Sequence, residues 1–379
     1  MSQYQTIYRE NNLMKEVFDE IIQVLSRGEK AALSTIVSSK GSLPMSKKAK
    51  MLVKQDGTFV GTVGGGCLEA DVWAEARQVM DQGVSTLQRF ILTEKHAGDE
   101  GLNCGGDVEI FTEPVQAGVM HEVFEAVKHL HDTRGSALLA TLVTGDSQMR
   151  GHKMLVTESD QVTGTLGDPE LDHRVQQEMG TVINEDLLKV FTVDHQGTEV
   201  RVFVEAIRPS PQLILFGGGH VSKAIAQIAK TVGFRIVIVD DRPAFANHDR
   251  FPEADECIVG EFDRVVEKLS IDRSSYLVAV TRGHQWDQPI IEQIVWTEAG
   301  YIGMIGSRRK IALMWKKLEA KGIPRQLLDQ VHAPIGLDIY ADTPEEIAVS
   351  VMAELIQVRR SGGKPAHTLV QESEQVERG

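Results

Sequence analysis

A run of three glycines followed by a cysteine is the first feature of the sequence that could do chemistry. Gly64, Gly65 and Gly66 precede Cys67 at a turn that is predicted to open a helix. Free N–H groups at the start of a helix bind anions, and a thiolate is favoured in the same place. Cys104, which two glycines follow, supplies a second thiol. The segment predicts an anion site with a reactive cysteine, unless Cys67 is simply a small buried residue.

A second glycine run, Gly217, Gly218 and Gly219, is typical of the first turn of a dinucleotide-binding domain. It follows a short apolar run and opens a helical pattern, and Asp240 ends the next strand about 20 residues further on, where an acid meets a ribose hydroxyl. These features favour a nucleotide or dinucleotide site; the alternative is a turn that only packs a helix on a strand. His220 is a candidate ligand or general acid, or else a capping or exposed histidine.

Two more loops follow predicted strands of the same region. Arg282 and His284 come after one strand, whereas Gly306, Ser307 and Arg308 come after the next and open a helix. Backbone N–H groups and the charge of Arg308 would form a phosphate cradle, although such a cation also suits a solvated helix face. Because the carboxyl ends of parallel strands share one edge, the glycine turn and these two loops are expected to converge on one crevice.

The elements that must position these residues fall into two regions. Pro209 and Pro211 break the chain before the second glycine run, so we place the domain boundary between residues 210 and 211. Beyond it, strands alternate with helical patterns, which predicts an α/β, Rossmann-like, doubly wound parallel sheet over 211–360. Residues 361–379 have no apolar period and are expected to form a flexible tail.

Residues 1–210 contain an internal duplication. The segment Lys50-Met-Leu-Val matches Lys153-Met-Leu-Val, and Gly61-Thr-Val-Gly matches Gly164-Thr-Leu-Gly. Each half begins with an amphipathic helix, continues with three β-rich runs, a glycine turn and a second helix, and ends in a strand. The pattern predicts an N-terminal α+β domain of two similar halves, about 1–118 and 119–207.

The two halves differ at the glycine turn. Where the first half has Gly65 and Gly66, the second has Asp168 and Pro169. Proline removes an N–H group, and the carboxylate occupies the helix start itself, so the second turn is closed to an anion. The first half is therefore predicted to be the working copy. Lys50, part of a basic cluster in this half, either lines the site or lies on the surface.

Charge and composition exclude several classes of protein. The chain has 379 residues, with 40 Lys and Arg against 54 Asp and Glu, and its net charge of −14 argues against non-specific binding to nucleic acid or to an anionic membrane. No run reaches the roughly 18 apolar residues of a membrane-spanning helix. Three cysteines are too few for a disulfide framework and predict a reducing compartment, the cytoplasm.

The ordered motifs of the chain resemble those of the xanthine dehydrogenase accessory (XdhC/CoxI) family. The segments that carry the resemblance are Gly41-Ser-Leu-Pro, Ala49-Lys-Met-Leu-Val, Gly61-Thr-Val-Gly-Gly-Gly-Cys-Leu-Glu-Ala, Leu215-Phe-Gly-Gly-Gly-His-Val, Val239-Asp-Asp-Arg-Pro-Ala-Phe-Ala-Asn, Arg250-Phe-Pro, Thr281-Arg-Gly-His, Ile305-Gly-Ser-Arg-Arg-Lys and Pro334-Ile-Gly-Leu-Asp-Ile. Two positions depart from the family pattern. Met45 follows Pro44 where many relatives have an arginine, and Tyr340 stands where a glycine is common.

The resemblance implies a cofactor-binding chaperone more than a stand-alone enzyme. Such a protein binds the molybdenum cofactor (molybdopterin) and helps its sulfuration and its insertion into molybdenum hydroxylases such as xanthine dehydrogenase. The implied partners are the hydroxylase and a sulfurtransferase, and a homodimer is the expected assembly. The chain has too few cysteines for the iron–sulfur clusters of a complete hydroxylase.

Applied to the candidate sites, this function leads to a hypothesis about the roles of their residues. The run 64–66 would hold the phosphate or the molybdenum end of the cofactor, with Glu69 as a further contact. Cys67 would act as a thiolate ligand of molybdenum or as a sulfur relay, with Cys104 nearby. The Rossmann crevice would bind NAD(P), another nucleotide or the other end of the cofactor.

Two other classes of function remain open. Gly217, Gly219 and Asp240 also suit a free-standing NAD(P)-dependent oxidoreductase. A non-catalytic docking adaptor would need neither glycine site to be filled. Because the N-terminal motifs have no place in an ordinary dehydrogenase, the sequence favours the accessory function.

Overall fold

The computed structural model describes residues 10–40, 49–91, 106–115, 119–145, 149–185, 188–195, 197–282 and 286–361. The chain divides into two units, Met1–Pro209 and Ser210–Gly379. None of the helices within the described ranges is long and apolar enough to cross a bilayer.

The first half of the N-terminal unit is an antiparallel sheet with helices against it. Its elements are α1 (Glu10–Arg27), β1 (Ala31–Lys40), β2 (Lys50–Lys54), β3 (Phe59–Gly61), α2 (Gly66–Gln82), β4 (Thr86–Ile91) and β5 (Asp107–Val115). The strand order is β3-β2-β1-β5-β4. Leu68, Val72, Ala76 and Val79 recur every three or four residues and are buried, so one face of α2 packs on this sheet.

The second half repeats this architecture. Its elements are α3 (Val119–Thr133), β6 (Ala137–Leu142), β7 (Lys153–Thr157), β8 (Val162–Gly164), α4 (Pro169–Glu185), β9 (Leu188–His195) and β10 (Thr198–Ile207). The order β8-β7-β6-β10-β9 places each strand where its counterpart lies in the first sheet. Even the register agrees, since Thr35 faces Lys50 in one sheet and Thr141 faces Lys153 in the other. The duplication predicted from the sequence is confirmed.

The two halves share apolar cores. Phe18 of α1 packs against Phe124 of α3, with 5.7 Å between the ring centroids. Phe111 of the first sheet and Phe203 of the second belong to one further buried cluster. Aromatic side chains bury large apolar areas, so these contacts help to hold the two halves together. The halves therefore form one folded unit around a common interior.

The C-terminal unit is a parallel sheet covered on both faces. Its elements are β11 (Gln212–Phe216), α5 (His220–Thr231), β12 (Arg235–Asp240), β13 (Glu256–Val259), a short 3-10 helix (Val265–Lys268), β14 (Ser275–Ala279), α6 (Asp287–Ile294), β15 (Tyr301–Met304), α7 (Arg308–Ala320), α8 (Arg325–Leu328) and α9 (Pro344–Ser361). The order is β13-β12-β11-β14-β15, with every pair parallel. The predicted Rossmann-like fold is confirmed.

Helices cover both faces of this sheet because its central strands, β11, β12 and β14, are buried and mostly apolar. The helices α5 and α9 contribute buried residues to one core, and α6 and α7 contribute to the other. The strand order reverses at β11, which has β12 on one side and β14 on the other. In open α/β sheets, ligands bind outside the carboxyl ends of the strands at such a switch point.

Candidate functional site

The glycine loop of the first half connects β3 to α2. Gly64, Gly65 and Gly66 have φ angles of 137°, 75° and 64°, which side chains rarely adopt. A Cβ atom on Gly65 would meet no heavy atom within 4 Å. Cys67 is exposed in the first turn of α2, and no side chain caps this helix at Gly65. As far as the structure describes the chain, the backbone N–H groups at this helix start thus have no side-chain acceptor, and an accessible thiol lies beside them.

A threonine and a carboxylate fix the shape of this loop. The Thr62 hydroxyl donates a hydrogen bond to Glu69 and accepts one from the N–H of Gly64 at 3.1 Å. In the second half, the Thr165 hydroxyl donates to Asp172 at 2.7 Å. Since both halves keep the pair, Glu69 has a structural role here. Its predicted contact with a cofactor would come in addition to the hydrogen bond to Thr62.

The corresponding helix of the second half is capped by its own chain. Asp168 Oδ1 accepts hydrogen bonds from the N–H groups of Glu170 at 2.8 Å and Leu171 at 3.2 Å. This is the geometry of an N-cap, and it fills the position that an anion would take. The corresponding residue in the first half is Gly65, which offers no acceptor. The difference between the two turns agrees with the sequence argument.

The sequence placed Lys50 at the glycine loop or on the surface, but its side chain lies in the interior of the N-terminal unit. Its ammonium binds Glu205 of the second half at 2.8 Å, and the Phe203 ring centroid lies 5.7 Å away. The lysine is 3% exposed, so it is not a surface residue. Only its backbone serves the loop, because Lys50 O accepts a hydrogen bond from the N–H of Thr62 at 2.9 Å. A buried ammonium is costly unless a carboxylate pairs with it. Because the partner of Lys50 is in the second half, the lysine side chain lies between the halves.

The duplication produces a second, equivalent ion pair. Lys153 Nζ lies 2.7 Å from Glu113 Oε1 and donates to the Thr141 hydroxyl at 3.0 Å. Both pairs line one small cavity between the halves. Burial raises the pKa of Glu113 above 4.5 despite the nearby lysines. This cluster was not predicted from the sequence, although a lysine and a glutamate inside apolar strands occur at matching positions of both halves.

The C-terminal unit brings the predicted loops to one edge of its sheet. The glycine turn 217–219 follows β11, the loop with Arg282 follows β14, and the segment 306–308 follows β15. These strands are neighbours and parallel, so all three loops lie at their carboxyl ends. Arg282 and Arg308 are exposed there, and the Ser307 hydroxyl accepts from the N–H of Lys310 as the N-cap of α7. Cys104 and His284 lie outside the described residues.

The chain itself requires glycine at two positions of the turn. A Cβ atom on Gly217 would collide with the carbonyl oxygen of Val280, and one on Gly218 would collide with that of Phe245. Among the described residues, no heavy atom lies within 4 Å of a Cβ atom placed on Gly219, and no side chain caps α5. His220 is exposed at the first position of α5. A ligand can therefore approach the backbone closely at Gly219 and at the start of α5, but not at Gly218.

Asp240 is already engaged by donors of its own chain. Its Oδ2 accepts from the N–H of Gly218 at 2.8 Å, and Arg242 donates to Oδ1 at 2.8 Å and to Oδ2 at 3.0 Å. Burial alone would raise the pKa of Asp240, but the hydrogen bonds from Arg242 and Gly218 outweigh it and hold the pKa below 3.8. A ribose would have to displace Arg242, so these residues do not fit the usual NAD(P) contact in this conformation.

A buried carboxylate organises the segment that packs beside the edge strand β15. Glu354 of α9 accepts from the Tyr301 hydroxyl at 2.7 Å and from the N–H of Gly336 at 2.6 Å, and His332 Nδ1 lies 2.6 Å away. Burial favours a raised pKa of Glu354, yet the hydrogen bonds from His332 and Tyr301 lower it below 4.5. The segment that follows β15 and α8 is thereby fixed on α9. Sequence reasoning gave no signal for this network.

The fold and these loops define a class: a duplicated α+β unit joined to a Rossmann-type unit with a glycine turn at its switch point. Family models identify it. The model described as "XdhC Rossmann domain" matches residues 213–355, and the model described as "XdhC and CoxI family" matches residues 24–90. The chain belongs to the XdhC/CoxI family, as its motifs predicted.

Individual relatives agree with this assignment. The chain is 30% identical over 339 residues to a Bacillus subtilis protein named as a probable subunit of xanthine dehydrogenase, and the alignment covers 89% of this chain and 96% of the relative. It is 23% identical to the molybdenum cofactor insertion chaperone PaoD of Escherichia coli, over 89% of this chain and 86% of the relative. A crystal structure described as a xanthine dehydrogenase from Bacillus halodurans superposes with a TM-score of 0.73 at 25% identity, covering 92% of this chain and 96% of that one.

Proposed function

We propose that this protein binds the molybdenum cofactor and assists its sulfuration and its insertion into a molybdenum hydroxylase of the xanthine dehydrogenase type. Membership of the XdhC/CoxI family supports the proposal. So does the likeness to PaoD, a molybdenum cofactor insertion chaperone, and to the probable xanthine dehydrogenase component of Bacillus subtilis. Hydroxylase and sulfurtransferase are the proposed partners, and a homodimer is the proposed assembly.

The observation that carries the proposal is the unequal pair of helix starts in the duplicated unit. The cofactor is an anion with a phosphate at one end and a dithiolene-bound metal at the other. Uncapped N–H groups after Gly65 suit the phosphate or the oxo groups of the metal end. In the second half Asp168 fills the same position. A duplicated unit with one open and one capped helix start suits the binding of a single anion.

Cys67 supplies the chemistry that backbone groups cannot. Its thiol is exposed beside the open helix start. A thiolate in this position would contact molybdenum directly or carry the sulfur that a sulfurtransferase delivers. Lys50 has no part in this step, because Glu205 holds its ammonium in the interior.

The crevice of the C-terminal unit is a second candidate anion site. The start of α5 at Gly219 has no side-chain cap, and Arg282 and Arg308 are exposed at the same edge of the sheet. These groups suit a phosphate of a nucleotide or of the cofactor itself. Because Asp240 is bound to Arg242, the crevice favours recognition through phosphate over recognition through ribose.

The test is cofactor transfer to a purified apo-hydroxylase. Wild-type protein loaded with molybdenum cofactor should restore hydroxylase activity. Cys67→Ala should restore much less, whereas Cys257→Ala, which changes the half-buried cysteine of the other unit, should match the wild type. Chemical sulfuration of the product with sulfide and a reductant then separates the two roles of Cys67, since it rescues a sulfur-relay defect but not a failed insertion.

Two results would contradict the proposal. One is wild-type protein that retains no cofactor through gel filtration and restores no activity. The other is Cys67→Ala protein that transfers active cofactor as well as the wild type does, which would remove the thiol from the mechanism. Light scattering of the same samples measures the proposed homodimer.

A further inference from the structure

The outward face of α7 has an unusual composition. Its exposed side chains follow one stripe of the helix, opposite the buried residues Ile311, Trp315 and Leu318. The exposed residues of that stripe are Arg309, Ala312, Leu313, Lys316, Lys317 and Ala320, and the exposed Lys310 borders it. Leu313, near the middle of the stripe, is 54% exposed. The face therefore presents three cations around an apolar centre and no acidic residue.

This composition differs from that of an ordinary solvated helix face. Exposed helices in this chain carry ion pairs four residues apart, such as Lys15 with Asp19 and Arg174 with Glu170. The one acid of α7, Glu319, instead pairs with Arg325 of the following helix at 3.5 Å. Within the described part of the chain, Lys316 and Lys317 form no ion pair. In a chain with a net charge of −14, such a face stands out as locally positive.

A second exposed apolar side chain follows α6, the helix that an ion pair joins to the end of α7. Trp296 is 60% exposed and follows α6 by two residues. An ion pair between Lys321 and Glu292 of α6, 2.6 Å long, ties the end of α7 to that helix. Aromatic residues and arginine are enriched at protein interfaces and among the residues that contribute most to binding.

We propose that the outward face of α7 is a docking surface for an acidic patch with an apolar centre on the client hydroxylase. The proposal rests on the proposed function and names the chemistry of its partner. Charge complementarity selects an acidic surface, and Leu313 requires an apolar contact inside it. A nucleic acid would need more phosphate contacts than three cations supply, and an interfacial helix would need a broader apolar face.

The experiment measures binding of the full-length chain to a purified apo-hydroxylase of the xanthine dehydrogenase type. Lys316→Glu/Lys317→Glu reverses the face and leaves Arg308 and its neighbour Arg309 unchanged. Lys268→Glu/Arg273→Glu reverses two exposed cations elsewhere in the same unit. Each double variant moves the net charge from −14 by −4 to −18, so the two are matched in total charge.

The face variant should bind the hydroxylase about tenfold more weakly, with a weaker dependence on salt, while the matched control stays within about twofold of the wild type. Leu313→Ala should weaken binding several-fold at every salt concentration. All variants should retain the molybdenum cofactor as the wild type does, because the altered residues lie outside the candidate cofactor sites.

Other results overturn the proposal. Equal losses in both double variants would mean that total charge, and not this face, controls binding. Unchanged hydroxylase binding together with lost binding to a DNA duplex or to phosphatidylglycerol vesicles would assign the face to another class of partner. Wild-type protein that binds the hydroxylase, with a face variant that binds it equally well, overturns this inference alone, whereas wild-type protein that binds neither cofactor nor hydroxylase overturns the proposed function as well.

Discussion

Replacing only one partner of the buried ion pair between Lys50 and Glu205 should lower the free energy of unfolding far more than replacing both partners. The two side chains are 2% and 3% exposed and lie 2.8 Å apart. In Glu205→Leu, the ammonium of Lys50 stays in the interior, and the other carboxylate of the cavity, Glu113, is held by Lys153. An uncompensated buried charge of this kind costs about 3–5 kcal/mol.

Calorimetry of the full chain gives the measurement. For a unit of this size, each kcal/mol of destabilisation lowers the midpoint temperature of unfolding by about 2–4 °C. The midpoint of the N-terminal unit should therefore fall by roughly 6–20 °C in Glu205→Leu. The double variant Lys50→Met/Glu205→Leu replaces the pair with apolar side chains and should return close to the wild-type value. As a control, Glu170→Gln removes the exposed pair with Arg174 and should cost no more than about 0.5 kcal/mol.

A cofactor assay on the same variants separates structure from binding. If the ammonium of Lys50 is purely structural, Lys50→Met/Glu205→Leu retains the molybdenum cofactor as the wild type does. A double variant as unstable as Glu205→Leu, or a Glu205→Leu cost below about 1 kcal/mol, would refute the reasoning from the buried pair. Normal stability with lost cofactor would instead return Lys50 to the binding site.

Three further predictions concern the C-terminal unit. Because the folded-state pKa of Glu354 lies below 4.5, its charge stabilises the unit above that pH and the contribution is lost as the pH falls through the lowered pKa; Glu354→Gln should flatten this acid dependence in urea titrations. Tyr340 has a φ of 58°, so Tyr340→Gly should raise the free energy of unfolding by up to about 1 kcal/mol. NADH should show no saturable fluorescence change with the wild type, and Arg242→Ala should improve its binding by freeing Asp240.

Each of these has an opposite outcome that counts against it. An unchanged acid profile in Glu354→Gln would mean that the network with His332 and Tyr301 adds no stability. A destabilised Tyr340→Gly would show that the exposed ring, 94% accessible, makes a contact that outweighs its backbone conformation. Tight NADH binding by the wild type would mean that Arg242 leaves Asp240 readily.

Local patterns in the sequence predict most of the fold. The glycine turn at 217–219, the alternation that follows it and the matching segments at Lys50 and Lys153 are each set by neighbouring residues, and each prediction agrees with the architecture. The contrast between Gly65 and Asp168 was also readable, because N-caps act on amides two or three residues away. The structure also gives a reason for the glycine that is common where this chain has Tyr340, since the position has a positive φ.

The partners of the polar side chains could not be predicted, because contacts between separate residues decide them. Lys50 finds its carboxylate 155 residues away, so no local pattern distinguishes it from a binding lysine. Asp240 occupies the expected position at the end of β12, yet Arg242 two residues later occupies its carboxylate. The spacing of an acid after a glycine turn specifies where the side chain lies, but the donors around it decide whether it is available.

Retention of the molybdenum cofactor by one pair of matched variants tests the central claim most directly. Gly65→Asp gives the first helix start the cap residue of the second, and Asp168→Ala removes that cap from the second. If the open helix start of the first half is the cofactor site, pterin fluorescence retained after gel filtration should be lost in Gly65→Asp and unchanged in Asp168→Ala. Equal retention by folded Gly65→Asp protein would contradict the account.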